Sequence, residues 1–76
     1  MLKYDFVICI DNKDNEASLE RFKVYRALKD DHAKNHSLLR VIDESGEDYL
    51  FPSNHFVPIS LPQAVQDAMM LENLSI

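Results

Sequence analysis

One glycine, one cysteine and no tryptophan occur in these 76 residues, and each scarcity excludes something. With Gly46 as its only glycine, the chain cannot form a Gly-rich loop that cradles phosphate. With Cys9 as its only cysteine it cannot form an internal disulfide, and a reducing, cytoplasmic setting is expected. Met1-Leu2-Lys3-Tyr4-Asp5 lacks the pattern of a secretory leader. The longest apolar run, Phe6-Val7-Ile8-Cys9-Ile10, is far shorter than the roughly 20 residues that span a bilayer, so no membrane segment is expected. Basic residues run out as well. Through Arg40 eight bases meet seven acids; beyond it six acids stand with no base. Phosphate binding draws on clustered Lys and Arg, so this half of the chain counts against generic DNA or RNA binding.

What remains is one small domain, 46% apolar and 28% charged. At this size folding buries only about 63% of the open chain's surface, which makes a single thin core.

Leu2, Tyr4, Phe6, Ile8 and Ile10 alternate with Lys3, Asp5, Val7 and Cys9, which predicts a strand whose first set faces the core. Asp11 to Ser18, rich in Asp and Asn, reads as a loop; Lys13 and the lack of glycine set it apart from a calcium-binding EF-hand loop. Between Glu16 and Lys29 the spacing of Leu19, Phe22, Tyr25 and Leu28 tolerates a helix, while Phe22, Val24 and Tyr25 favour a strand. Asp30 is suited to capping a short helical turn, with Asn35 as its left-handed close. Leu38 to Ile42 reads as a strand with Leu39 and Val41 inward. Asp43-Glu44-Ser45-Gly46 is a hairpin signal, a type I turn closed by Gly46 at positive φ. Tyr49-Leu50-Phe51 continues the sheet until Pro52, and Phe56 to Ile59 forms a last strand confined to an edge by Pro58. Pro62 opens a helix whose Leu61, Ala64, Val65, Ala68, Met69 and Leu71 share one stripe. The layout is residues 1–60 as the sheet domain, 61–72 as a helix packed on it, and 73–76 as a fraying tail.

Leu50-Phe51-Pro52-Ser53-Asn54-His55-Phe56-Val57, after the Gly46 hairpin, resembles the closing segment of SH3 domains, where a strand, a 3₁₀ turn and a short strand follow one another. The resemblance implies a mainly β fold, a small five-stranded SH3-like barrel with a short C-terminal α-helix, and it turns Phe22 to Leu28 into a strand. Asp11 to Arg21 would be a shortened RT-like loop and Asp30 to Ser37 the n-Src-like connection. It also implies a partner-binding groove, with Pro52 at the groove proline, Leu50 at the aromatic two positions before it, and His55 at the turn tyrosine. Phe51 and Phe56 fall at core positions. The groove's central tryptophan has no counterpart. The whole chain is similar to a group of short bacterial proteins sharing the stretch from Leu39 to Leu50, a group that brings no established activity.

Three constellations invite chemistry. His32 and His36, four apart, would face one way on a helical turn as metal ligands can, but no glutamate completes a His-Glu-x-x-His pattern. Cys9 has no basic sequence neighbour to lower its thiol pKa and reads as a small apolar residue. Asp43, Glu44, Glu47 and Asp48 cluster at a hairpin tip with no cleft around them and read as a solvated turn. Neither metal nor cofactor is expected. Val7, Cys9, Leu38, Ile42 and Leu50 are expected to form a second, outer apolar face, covered by the helix, a partner protein or a second copy. The expectation is therefore a non-catalytic interaction or accessory protein. The alternative is a Tudor- or KOW-like barrel on nucleic acid, which would require a contiguous stripe of Lys13, Arg21, Lys23 and Arg26.

Overall fold

A computed structural model describes residues 4–74, with side chains described from Asp5 to Met69. Five antiparallel strands form one sheet: β1 (Tyr4–Cys9), β2 (Val24–Leu28), β3 (Leu38–Ile42), β4 (Asp48–Pro52) and β5 (Phe56–Ile59). A four-residue helix, α1 (Asp31–Lys34), joins β2 to β3, a 3₁₀ turn (Ser53–His55) joins β4 to β5, and α2 (Gln63–Leu74) follows. The strand order is β4-β3-β2-β1-β5. The first four strands form a meander, and β5 returns to pair with β1 at the opposite edge. No ladder joins β4 to β5 among the described residues, so the sheet is open.

The local devices are those the residue types dictate. Asp30 caps α1 by accepting the Ala33 N–H at 3.0 Å, and its other carboxylate oxygen holds Arg40 at 2.8 Å. Asn35 stays right-handed at φ −67°; the left-handed turn after α1 falls two residues later, at Ser37 (φ 57°). In the β3–β4 hairpin the Gly46 N–H reaches the Asp43 carbonyl at 3.0 Å, and Gly46 adopts φ 84°. Asp43 departs from the expected solvated turn. It is 7% exposed, and its carboxylate takes the Ser45 N–H at 2.8 Å and the Ser45 hydroxyl at 2.5 Å, closing the turn from inside. Pro62 is the cap of α2 and not its first residue, its carbonyl accepting the Val65 and Gln66 N–H groups.

The core holds Val7, Cys9, Leu19, Tyr25, Ala27, Val41, Phe51 and Phe56, with Leu39 packed against them. Aliphatic or small side chains meet aromatic ones in register: Val7 lies opposite Tyr25, Cys9 opposite Phe56, Leu39 opposite Phe51. Phe51 and Phe56 meet edge-on at 6.2 Å, which links β4 to β5 across the open side. The face of β1 is the reverse of the sequence expectation. Val7 and Cys9 point into the core, with Cys9 fully buried, while Ile10 is exposed. Phe6 is buried but lies outside that cluster, on the opposite face. The reason is volume. The run from Phe6 to Ile10 is apolar at both parities, and the space beside Phe56 and Tyr25 admits a valine and a cysteine.

The apolar residues of the outer face are thus Phe6, Ile8, Val24, Ile42, Val57 and Ile59, and the register sets Arg26 between Phe6 and Ile42. Leu38 and Leu50 lie on the same face, and Val7 and Cys9 do not. α2 stands over the β2–β3 end of this face. An open groove of about 810 Å³ lies between Ala64, Val65, Ala68 and Met69 on the helix and Val24 and Ile42 on the sheet. Val65 remains 42% exposed. Leu2 and the tail residues 75–76 lie outside the described residues, and Asn73 and Leu74 belong to the helix.

Candidate functional site

The loop between β1 and β2 is the longest connection in the fold, and side chains hold it in place. Asn12 bonds across it to the Leu19 carbonyl at 3.0 Å. Asp11 takes the Lys13 N–H at 2.9 Å, as Asp does in tight turns. Leu19 inserts into the core. The Glu44 N–H donates to the Ser18 carbonyl at 3.1 Å, tying the loop to the β3–β4 hairpin. The Tyr25 hydroxyl strengthens that tie. It donates to the Glu44 carboxylate and accepts the Glu20 N–H at 2.7 Å. Burial first, then the Glu44 carboxylate, pushes the phenol well above its ordinary range. Lys23 also meets Glu44 at 2.7 Å, and the ammonium, then the phenol, holds that carboxyl below its usual value.

From this anchored rim rises Phe22. Its backbone is left-handed, φ 66°, where a phenylalanine Cβ is crowded, and the residue is 65% exposed. The Arg21 guanidinium lies 4.9 Å from the ring centroid. Ile10, which follows β1, is exposed close by, since the Cys9 carbonyl before it accepts the Phe22 N–H. Val57, paired with Ile8 on β5, adds a third exposed apolar side chain at this end of the sheet. A bulky residue at positive φ costs on the order of 1–3 kcal/mol, and an exposed ring returns little of it by burial.

The residues that the SH3 resemblance assigns to a groove are placed as follows. Leu50 is 41% exposed on the outer face of β4. It lines a depression of about 360 Å³ together with Asn15, Ser18, Asp43, Ser45 and Tyr49; Pro52 and His55 are not part of that lining. Pro52 ends β4 exposed, opposite Leu38. His55 is half-buried in the 3₁₀ turn, its Nε2 3.9 Å from an Asp11 carboxylate oxygen, while its buried Nδ1 has no hydrogen-bond partner. The rings of His32 and His36 lie tilted at 44° with centroids 4.6 Å apart, and His36 Nδ1 lies 2.8 Å from the His32 carbonyl oxygen. No group of three metal-ligating side chains occurs among the described residues. Cys9, enclosed in the core, has its thiol pushed up chiefly by burial.

Of the cations a nucleic-acid stripe requires, Lys23 is held by Glu44 and lies 3.8 Å from Glu20, and Arg21 lies over Phe22. The acids Glu20 and Glu44 therefore interrupt the stripe. No helix among the described residues is long and apolar enough to cross a membrane. No protein-family model, curated protein or solved structure matches the chain.

Sequence reasoning missed Phe22 as a site residue. The only available signal was negative: the bend that ends the loop had to be made without a glycine.

Proposed function

We propose that the chain is a non-catalytic protein-interaction module on an SH3-like barrel, and that Phe22, flanked by Ile10 and Val57, is its partner-binding anchor. One observation carries this reading: a strained, exposed aromatic side chain on a rim tied down by Leu19, Asn12 and Glu44. A rigid aromatic anchor enters a partner's pocket with little loss of conformational freedom, which is why such residues dominate interface energetics. The strand order and the 3₁₀ turn between β4 and β5 support the barrel assignment. The interrupted cation stripe disfavours the nucleic-acid alternative. Leu50, Pro52 and His55 remain the positions at which a groove of the SH3 kind would lie.

The test is site-specific photocrosslinking in the native host. A benzoylphenylalanine at position 22 should capture a discrete protein that the same probe at exposed Ser60 does not. Identical capture patterns at the two positions, or none at position 22, would overturn the assignment.

A further inference from the structure

The two edges of the open sheet are not equivalent. β5 carries Pro58 in mid-strand, which interrupts any further ladder. β4 has no lysine, no bulge and no proline before its last residue, Pro52, and no strand lies beyond it among the described residues. The hairpin sets which of its backbone groups are spent. The Asp43 N–H bonds to the Glu47 carbonyl at 3.0 Å, and bonded and non-bonded pairs alternate along an antiparallel ladder. With the observed register, Tyr49 and Phe51 exchange bonds with Val41 and Leu39. The N–H and C=O groups of Asp48 and Leu50 are therefore directed away from β3. Natural sheets usually protect such an edge by charge, proline or a cover; β4 has these only at its two ends, as Asp48 and Pro52. Here Tyr49 and Leu50 are exposed along it, and a depression walled by Asn15 and Ser18 runs beside them.

We infer that β4 accepts an extended, Lys- or Arg-bearing segment of another protein as an added antiparallel strand. Asp48 and Leu50 supply the backbone bonds, and the acidic hairpin selects the charge. Arg40 already reaches Asp48 at 3.0 Å, but Glu47 holds only the neutral Tyr49 hydroxyl, at 2.8 Å, and the sequence has no base after Arg40. A cationic side chain on the incoming strand meets Glu47 across the new ladder. A second copy fits less well. Antiparallel pairing of two β4 strands about Leu50 sets each Asp48 opposite Pro52, and neither β4 supplies a cation.

The inference shares the interaction-module reading but uses a different surface from Phe22. It is tested by amide exchange on the full chain with a capped alternating Lys-Val octapeptide and its Glu-Val counterpart as probes. The Lys-Val peptide should slow exchange at Asp48 and Leu50 by about tenfold or more. The Glu-Val peptide should not, and Leu50→Lys should abolish the effect. The slowing should persist in Phe22→Gly, which separates this site from the aromatic one. No slowing at millimolar peptide, equal slowing by both peptides, or slowing that follows protein concentration without peptide would each overturn it.

Discussion

Phe22 donates its backbone N–H to the Cys9 carbonyl at 2.6 Å, while the Cys9 N–H donates to the Lys23 carbonyl at 3.0 Å. One residue of β1 thus faces two on the incoming chain, which is a β-bulge with its first residue left-handed. That position is normally glycine. Here a phenylalanine fills it, so local strain and aromatic exposure coincide in one residue.

Replacing Phe22 by glycine should therefore raise stability while removing the anchor. Relief of the backbone strain outweighs glycine's greater flexibility in the unfolded chain, for a net gain of roughly 0.5–1 kcal/mol. Urea denaturation reads this directly. A lower midpoint for Phe22→Gly would mean that the ring contributes to the fold and is not reserved for a partner.

Gly46 sits at φ 84°, and a Cβ placed there would meet nothing within 4 Å. The cost of Gly46→Ala is therefore conformational and not a collision with the surrounding structure, about 1 kcal/mol. Gly46→Asn should recover part of it, since asparagine tolerates the left-handed region. Equal midpoints for alanine and wild type would contradict the turn geometry.

Two carboxylates are held below their ordinary values in the folded chain. For Glu44 the Lys23 ammonium is the main cause and the Tyr25 hydroxyl the next; for Asp30 it is the Ala33 N–H, then Arg40. A group depressed on folding binds its proton more readily once unfolded. Its contribution is full above the unfolded value, about 4–4.5, and is lost as the pH falls through the folded one. Stability should decline below about pH 5, and the double variant Asp30→Asn with Glu44→Gln should flatten that decline. Urea midpoints at neutral and acid pH compare the two. An acid limb of unchanged steepness would assign it to other carboxylates.

The elements that could be read from the sequence were those with a residue of restricted conformation at a boundary. Gly46, Pro52 and Pro58 fixed the hairpin, the end of β4 and the edge strand. Arg40 between Leu39 and Val41 broke the apolar run and made the inward face of β3 unambiguous. β1 had no such break from Phe6 to Ile10, so its parity depended on which side chains fit beside Phe56 and Tyr25, a matter of volume that only the assembled sheet decides. The turn at Ser37 and the bulge at Phe22 were hidden for a related reason. Both are left-handed positions filled by residues that do not advertise them, and in a chain with one glycine the usual marker is missing.

The pairing of β1 with β5 also governs how the chain comes into being on the ribosome. Tyr4–Cys9 is made before the other four strands, and one of its two neighbours is a strand made some fifty residues later in synthesis, about three seconds or more at ordinary elongation rates. Until Phe56 arrives to cover Cys9, the first strand has one bare edge and the core lacks part of its aromatic filling. Folding of the nascent domain therefore waits on its last strand, and the run from Phe6 to Ile10 is the segment a chaperone would have to shield in the interval.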